Sequence, residues 1–166
     1  MGRGYTKKEM ESLFEKVRKI LPDAVLRTTV MVGYPTETEE EFEALCRFVS
    51  QVEFDNLGAF SYSREKGTPA ARIIGHLTRG VKKRRYERIM ELQMDISRRR
   101  LARMKGRRLK VVVEANDAGT ITGRTLLQAP DVDGIAFIKG DCKVGEIREG
   151  LVTGTLDYDV IIDLEA

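Results

Sequence analysis

The run Val32-Gly33-Tyr34-Pro35-Thr36-Glu37 puts a glycine, an aromatic ring and a carboxylate directly after an apolar, β-branched stretch. In sheets built from βα units, ligands bind at the carboxyl ends of the strands, so a glycine beside a Tyr-Pro wall suits a planar ligand. The alternative is that Gly-x-Pro only breaks the strand. A second run, Gly58-Ala59-Phe60-Ser61-Tyr62-Ser63, alternates small and aromatic residues, and Phe60 and Tyr62 either line the same pocket or pack a core. Arg27 stands inside the apolar stretch 24–32. A cation buried there needs an acid or an anionic ligand, such as a carboxylate, to offset desolvation.

Charge is unevenly spread. Residues 1–77 hold 11 basic and 12 acidic groups, residues 78–110 hold 14 and 3, and residues 111–166 hold 4 and 11. The middle excess, with Lys82-Lys83-Arg84-Arg85 and Arg98-Arg99-Arg100, either contacts the phosphates of rRNA or tRNA or is a solvated helix face. The last part carries Asp131, Asp133, Asp157 and Asp159 and has only Phe137 and Tyr158 as aromatics. Such a segment repels phosphates and attracts a basic partner such as a ribosomal protein. His76, the one histidine, is assigned no role, and Cys46 and Cys142 have no metal-ligand spacing with it. One buried thiol and one incidental thiol are expected. No metal ligand set and no catalytic nucleophile or base is assigned.

The elements that position these residues follow from periodicity. Thr6 with Glu9, and Thr38 with Glu41, are capping boxes that open two amphipathic helices. The first carries Met10, Leu13, Phe14, Val17, Ile20 and Leu21 on one stripe, the second Phe42, Leu45, Cys46, Val49 and Val52. Between and after them lie strands at 24–32, read as covered on both faces, and at 57–62, a rhythm that predicts parallel βα units. A long basic helix follows at about 78–105. Five short strands are predicted near 109–114, 120–127, 134–138, 145–153 and 158–164, enough for a small barrel of the OB type. At 166 residues, 42% hydrophobic and 33% charged, the chain can fill such cores, and disorder is excluded. No apolar run spans a membrane and no signal-peptide pattern opens the chain, so a cytoplasmic protein is expected.

Taken in order, Met1-Gly2-Arg3-Gly4, Leu26-Arg27-Thr28-Thr29, the run from Val32 to Phe42 and the run from Gly58 to Thr68 resemble the methylthiotransferases of the radical SAM superfamily. Met90-Glu91-Leu92-Gln93, Gly123-Arg124-Thr125, the run from Ala129 to Gly134 and Tyr158-Asp159 resemble the RimO-like branch of the MiaB/RimO family. The resemblance implies an α/β plus all-β fold. Residues 1–105 would be the C-terminal half of a radical SAM, partial TIM-like barrel, and residues 106–166 a five-stranded OB-like TRAM domain.

It also implies S-adenosyl-L-methionine and two 4Fe-4S clusters in the full-length enzyme. Neither cluster's cysteines are present in this chain. Arg27, Val32, Gly33, Tyr34, Pro35, Phe60 and Tyr62 match the family's S-adenosylmethionine pocket. Asp131, Asp133, Asp157 and Asp159 are read as partner-binding. Thr36 departs from the family, which usually has glycine there. The implied activity is methylthiolation of an aspartate on a basic small-subunit ribosomal protein, with this fragment inactive alone. A MiaB-like tRNA methylthiotransferase fragment and a stand-alone TRAM-type binding module are the alternatives.

Overall fold

The computed structural model describes residues 4–166, so the first three residues of the opening Met-Gly-Arg-Gly motif lie outside the described part. The chain forms two compact units, Met1–Gln93 and Met94–Ala166.

In the first unit, α1 (Lys7–Ile20), β1 (Arg27–Val32), α2 (Glu39–Val52) and β2 (Asn56–Ser61) follow one another, and α3 (Arg79–Ala102) continues from this unit into the second. Both capping boxes form. Thr6 accepts the Glu9 N–H at 3.3 Å while its own N–H donates to the Glu9 carboxylate at 2.6 Å. Thr38 does the same with Glu41, at 3.2 and 2.8 Å. Each box satisfies two backbone donors that a helix start leaves orphaned. The α2 stripe buries Phe42, Cys46 and Val49. The α1 stripe is covered less than expected, for no α1 residue is fully buried and Leu13, Ile20 and the C-cap Leu21 are exposed.

β1 and β2 pair in parallel, with Met31 opposite Phe60 and Val32 opposite Ser61. The sequence predicts β1 covered on both faces, and here the structure differs. Val32 and Leu57 are buried, whereas Arg27, Thr29, Gly58 and Phe60 are exposed. Arg27 is therefore not a buried cation. Strand side chains alternate between faces, and among the described residues only one face of this two-stranded sheet is packed. β-branched residues such as Thr28, Thr29 and Val30 suit either situation, which is why composition alone misleads here.

Polar side chains close the other end of the sheet. Arg18 donates to the Ala24 carbonyl at 2.7 Å and pairs with Asp55 at 2.8 Å, and Asp55 also accepts the Leu26 N–H at 2.8 Å. Gln93, fully buried on α3, donates to the Phe54 carbonyl at 3.0 Å.

The second unit is a closed barrel of five strands, β3 (Arg108–Asp117), β4 (Thr120–Thr125), β5 (Ala136–Lys139), β6 (Ile147–Thr155) and β7 (Val160–Asp163), in the order β3-β4-β5-β7-β6. β5 and β7 run parallel; the other pairs are antiparallel. Val111, Val113, Ala136, Ile138, Val152, Val160 and Ile162 fill its core, as alternation along the strands requires. Cys142 belongs to that core as well. It is a buried packing residue rather than an incidental thiol, so both cysteines are buried. No helix among the described residues is long and apolar enough to cross a membrane.

Candidate functional site

The carboxyl ends of β1 and β2 are fastened by the loop that follows β1. The Gly33 N–H donates to the Glu37 carboxylate, the Glu37 N–H donates to the Tyr34 carbonyl at 3.0 Å, and the Thr36 N–H donates to the Gly75 carbonyl at 3.0 Å. Across the strands, the Tyr62 N–H donates to the Val32 carbonyl at 2.9 Å. Thr36 has φ of 70°, in the left-handed region that glycine adopts without strain. The departure noted at this position thus carries a backbone cost.

Tyr62 organises the side chains around this loop. Its ring meets Tyr34 edge-on at 5.4 Å and stacks on His76 at 5.8 Å. Lys82, from the first turn of α3, donates to the Tyr62 carbonyl at 2.9 Å and holds its ammonium 5.0 Å from the Tyr62 ring centre. A Cβ at Gly33 would stand 2.6 Å from the Lys82 Cγ, and φ there is 74°. Glycine is thus required at position 33 by the lysine stem packed against it as well as by its backbone. The Tyr62 hydroxyl and His76 Nε2 are buried without a hydrogen-bond partner among the described residues.

Arg85, one turn further along α3, anchors the loop from below. Its side chain is 7% exposed, lies 3.0 Å from the Glu37 carboxylate and 2.8 Å from that of Glu39, and donates to the Glu37 carbonyl at 3.1 Å. Burial opposes its charge, but the hydrogen bonds to Glu39 and Glu37 outweigh that and hold its pKa above the ordinary arginine value. Arg88 pairs with Glu43, and both arginines lie over the Phe42 ring, at 5.2 and 5.7 Å.

The residues singled out from sequence fall into three groups. Val32, Gly33, Tyr34, Pro35 and Tyr62 come together at the strand ends. Arg27 and Phe60 instead share the exposed face of the sheet, with Thr29 and Gly58. The four aspartates lie in the barrel unit, where three have local partners. Asp133 accepts the Ala129 N–H at 2.7 Å, Asp159 the Ile135 N–H at 2.8 Å, and Asp157 pairs with Arg98 at 2.6 Å. Asp131 is exposed, with φ of 59°.

Sequence reasoning passed over Glu37, His76, Lys82 and Arg85 as individual contributors. The one available signal was the spacing of Lys82 and Arg85, three residues apart on a helix. Among the described residues there is no group of three or more His, Cys, Asp and Glu side chains able to hold a metal. Burial pushes both thiols above the ordinary cysteine pKa, which keeps them protonated near neutrality.

Residues 106–163 match the TRAM domain family. Over 160 residues, 96% of the chain, the sequence is 44% identical to a protein of Thermotoga sp. (strain RQ2) named ribosomal protein uS12 methylthiotransferase RimO. The proteins of that name from Thermotoga maritima and Carboxydothermus hydrogenoformans are 42% and 44% identical, again over 96% of the chain. The chain spans 37% of the length of each of these three relatives.

Proposed function

We propose, from the premise that this chain is a RimO-like methylthiotransferase portion with a TRAM domain, that it serves an enzyme that methylthiolates an aspartate of a basic small-subunit ribosomal protein. In this reading the first unit supplies one side of a radical SAM barrel, and the acidic TRAM barrel receives the protein substrate. The observation that carries it is the parallel β1–β2 pair, with a bare sheet face and Val32, Gly33, Tyr34, Pro35 and Tyr62 gathered at its carboxyl end. Parallel sheets are ordinarily covered on both faces, and in barrels of βα units the ligand site lies at the carboxyl ends of the strands.

The residues present fit one implied cofactor and not the other. The exposed face offers a guanidinium at Arg27, a hydroxyl at Thr29 and a ring at Phe60, which is 46% exposed, with the Tyr34 ring at the strand end. That set suits the carboxylate, hydroxyls and adenine of S-adenosylmethionine. When bound in the complete enzyme, S-adenosylmethionine supplies hydrogen abstraction and a methyl group. A 4Fe-4S cluster needs thiolates, and Cys46 and Cys142 are both buried in cores. We therefore assign no cluster ligand to this chain and expect no turnover from it alone.

Within the chain, Arg85 and Glu37 fix the loop, Lys82 sets Tyr62, and Tyr34 walls the strand end. The test is a chimera in which this chain replaces the matching segment of the Thermotoga maritima relative, followed by mass spectrometry of uS12 after reaction. One methylthio group on an aspartate is expected. Modification of tRNA and not of uS12 would overturn the substrate assignment, and a folded chimera inert toward both would overturn the reading as a whole.

A further inference from the structure

An open cleft of about 530 Å³ lies beside the end of β2, lined by Ser61, Tyr62, Ser63, Arg64, Arg79, Lys82, Lys83 and Tyr86. Four of these eight residues are cationic and none is acidic. The positions on α3 explain why. Arg79, Lys82, Lys83 and Tyr86 are spaced i, i+3, i+4 and i+7, so one face of the helix presents three cations and a ring together. Arg85 and Arg88 stand on a different face, and their charge is met by Glu37, Glu39 and Glu43. The cations in this first stretch of the helix are therefore divided: Arg85 and Arg88 are neutralised by acids, and Arg79, Lys82 and Lys83 face the cleft.

Of the cleft cations, Lys82 is partly engaged by the Tyr62 carbonyl and ring, and the Arg64 Nε donates to the Ala71 carbonyl at 3.0 Å. Lys83 is paired, among the described residues, with an exposed neighbour on its own helix, Glu87, at 3.5 Å. A pair of that kind is worth little and yields readily to a stronger anion. Tyr86 is 38% exposed, so its ring can take a planar group, and Ser61 and Ser63 add hydroxyls.

We infer that this cleft binds the phosphodiester backbone of single-stranded RNA, with Arg79, Lys82, Lys83 and Arg64 on phosphates and Tyr86 stacking on a base. Several cations spread over an open groove with an aromatic platform are the pattern that tracks a nucleic-acid strand, whereas one free phosphate needs a small enclosed nest. The inference rests on the charge and shape of this cleft and not on residues 111–166, whose net charge is opposite in sign.

The test is binding of a fluorescein-labelled ten-nucleotide oligouridylate to the whole 166-residue chain, at several salt concentrations. The variants are Arg79→Glu/Lys83→Glu, Tyr86→Ala, and a control of equal charge change away from the cleft, Lys16→Glu/Arg47→Glu. All four replaced cations are exposed, and circular dichroism checks that each variant is folded. The cleft double variant should lose at least tenfold in affinity and flatten the slope of log K against log salt by about 1.4, the value for two single-strand phosphate contacts. Tyr86→Ala should lose roughly five- to hundredfold, as for one stacked base. An equal loss in the control pair would overturn the inference, as would equal affinity for a ten-base-pair RNA duplex. Displacement of the oligonucleotide by an equal concentration of inorganic phosphate would overturn it too, marking a simple ion site.

Discussion

Buried Arg85 and partly buried Glu37 form an ion pair in which both partners also hold backbone, the arginine through the Glu37 carbonyl and the carboxylate through the Gly33 N–H. The pair ties α3 to the loop at the end of β1, and with the Lys82 bond to the Tyr62 carbonyl it sets the helix that bears the basic cleft against the strand end that bears the motif residues. Removing Arg85 leaves the Glu37 carboxylate with only the Gly33 N–H, and breaking a pair in this way costs more than the pair's net worth.

Arg85→Met should therefore destabilise the first unit by about 3 kcal/mol, and Arg85→Met/Glu37→Gln should recover part of that loss. Urea unfolding monitored by tyrosine fluorescence checks this. With Glu37→Gln measured alone, a loss in the double variant equal to the sum of the two single losses would show that the two side chains are not coupled.

Thr36→Gly should stabilise the chain. The left-handed backbone at Thr36 costs a β-branched residue roughly 1 kcal/mol, offset in part by the greater freedom glycine has when unfolded. The net gain is a few tenths of a kcal/mol, read as a rise in urea midpoint at constant slope. Thr38→Ala should act the other way, by about 1 kcal/mol, through loss of the α2 cap.

Gly134→Ala should prevent a normal barrel. A Cβ at Gly134 would lie 1.9 Å from the Tyr158 carbonyl oxygen, which only backbone displacement relieves. The cost is about 3 kcal/mol or more, at the upper end for overpacking. A variant with unaltered amide spectra around Val160 and Ile135 would refute this close approach.

Stability at acid pH should depend on Asp157. Its hydrogen bond with Arg98 holds its carboxyl below the ordinary aspartate pKa. A folded pKa depressed in this way contributes stability that is present above the unfolded value, near 4, and is lost as pH falls through the folded value. Asp157→Asn should be less stable than the parent at pH 6, and the two stabilities should converge as pH approaches 3. Parallel curves would remove the pair from the account.

Neither thiol should react with Ellman's reagent at pH 7 in the folded chain, and both should react in denaturant. Burial hides them and raises their pKa. Fast labelling of Cys142 alone would mean the barrel core opens there.

What the sequence determined by itself is whatever depends on neighbours a few residues apart. Both capping boxes, the order of helices and strands and the five barrel strands were legible because hydrogen bonds at i, i+3 and alternation at i, i+2 are written in local order. The motif at Val32–Glu37 was legible as a strand-end loop for the same reason. Tertiary structure alone decided which face of each strand and helix is covered. Arg27 and Phe60 lie on an exposed sheet face because, among the described residues, only one side of β1 and β2 is packed, and Cys142 is buried because it packs with the barrel's core residues. Three aspartates that suggest a docking surface have local partners, two of them backbone N–H groups and the third Arg98. The partition of the basic helix into paired arginines and a cationic cleft needed the acids of α2 and its preceding loop, forty-odd residues away. Burial and charge pairing are properties of contacts distant in sequence, and local pattern carries no record of which partner arrives.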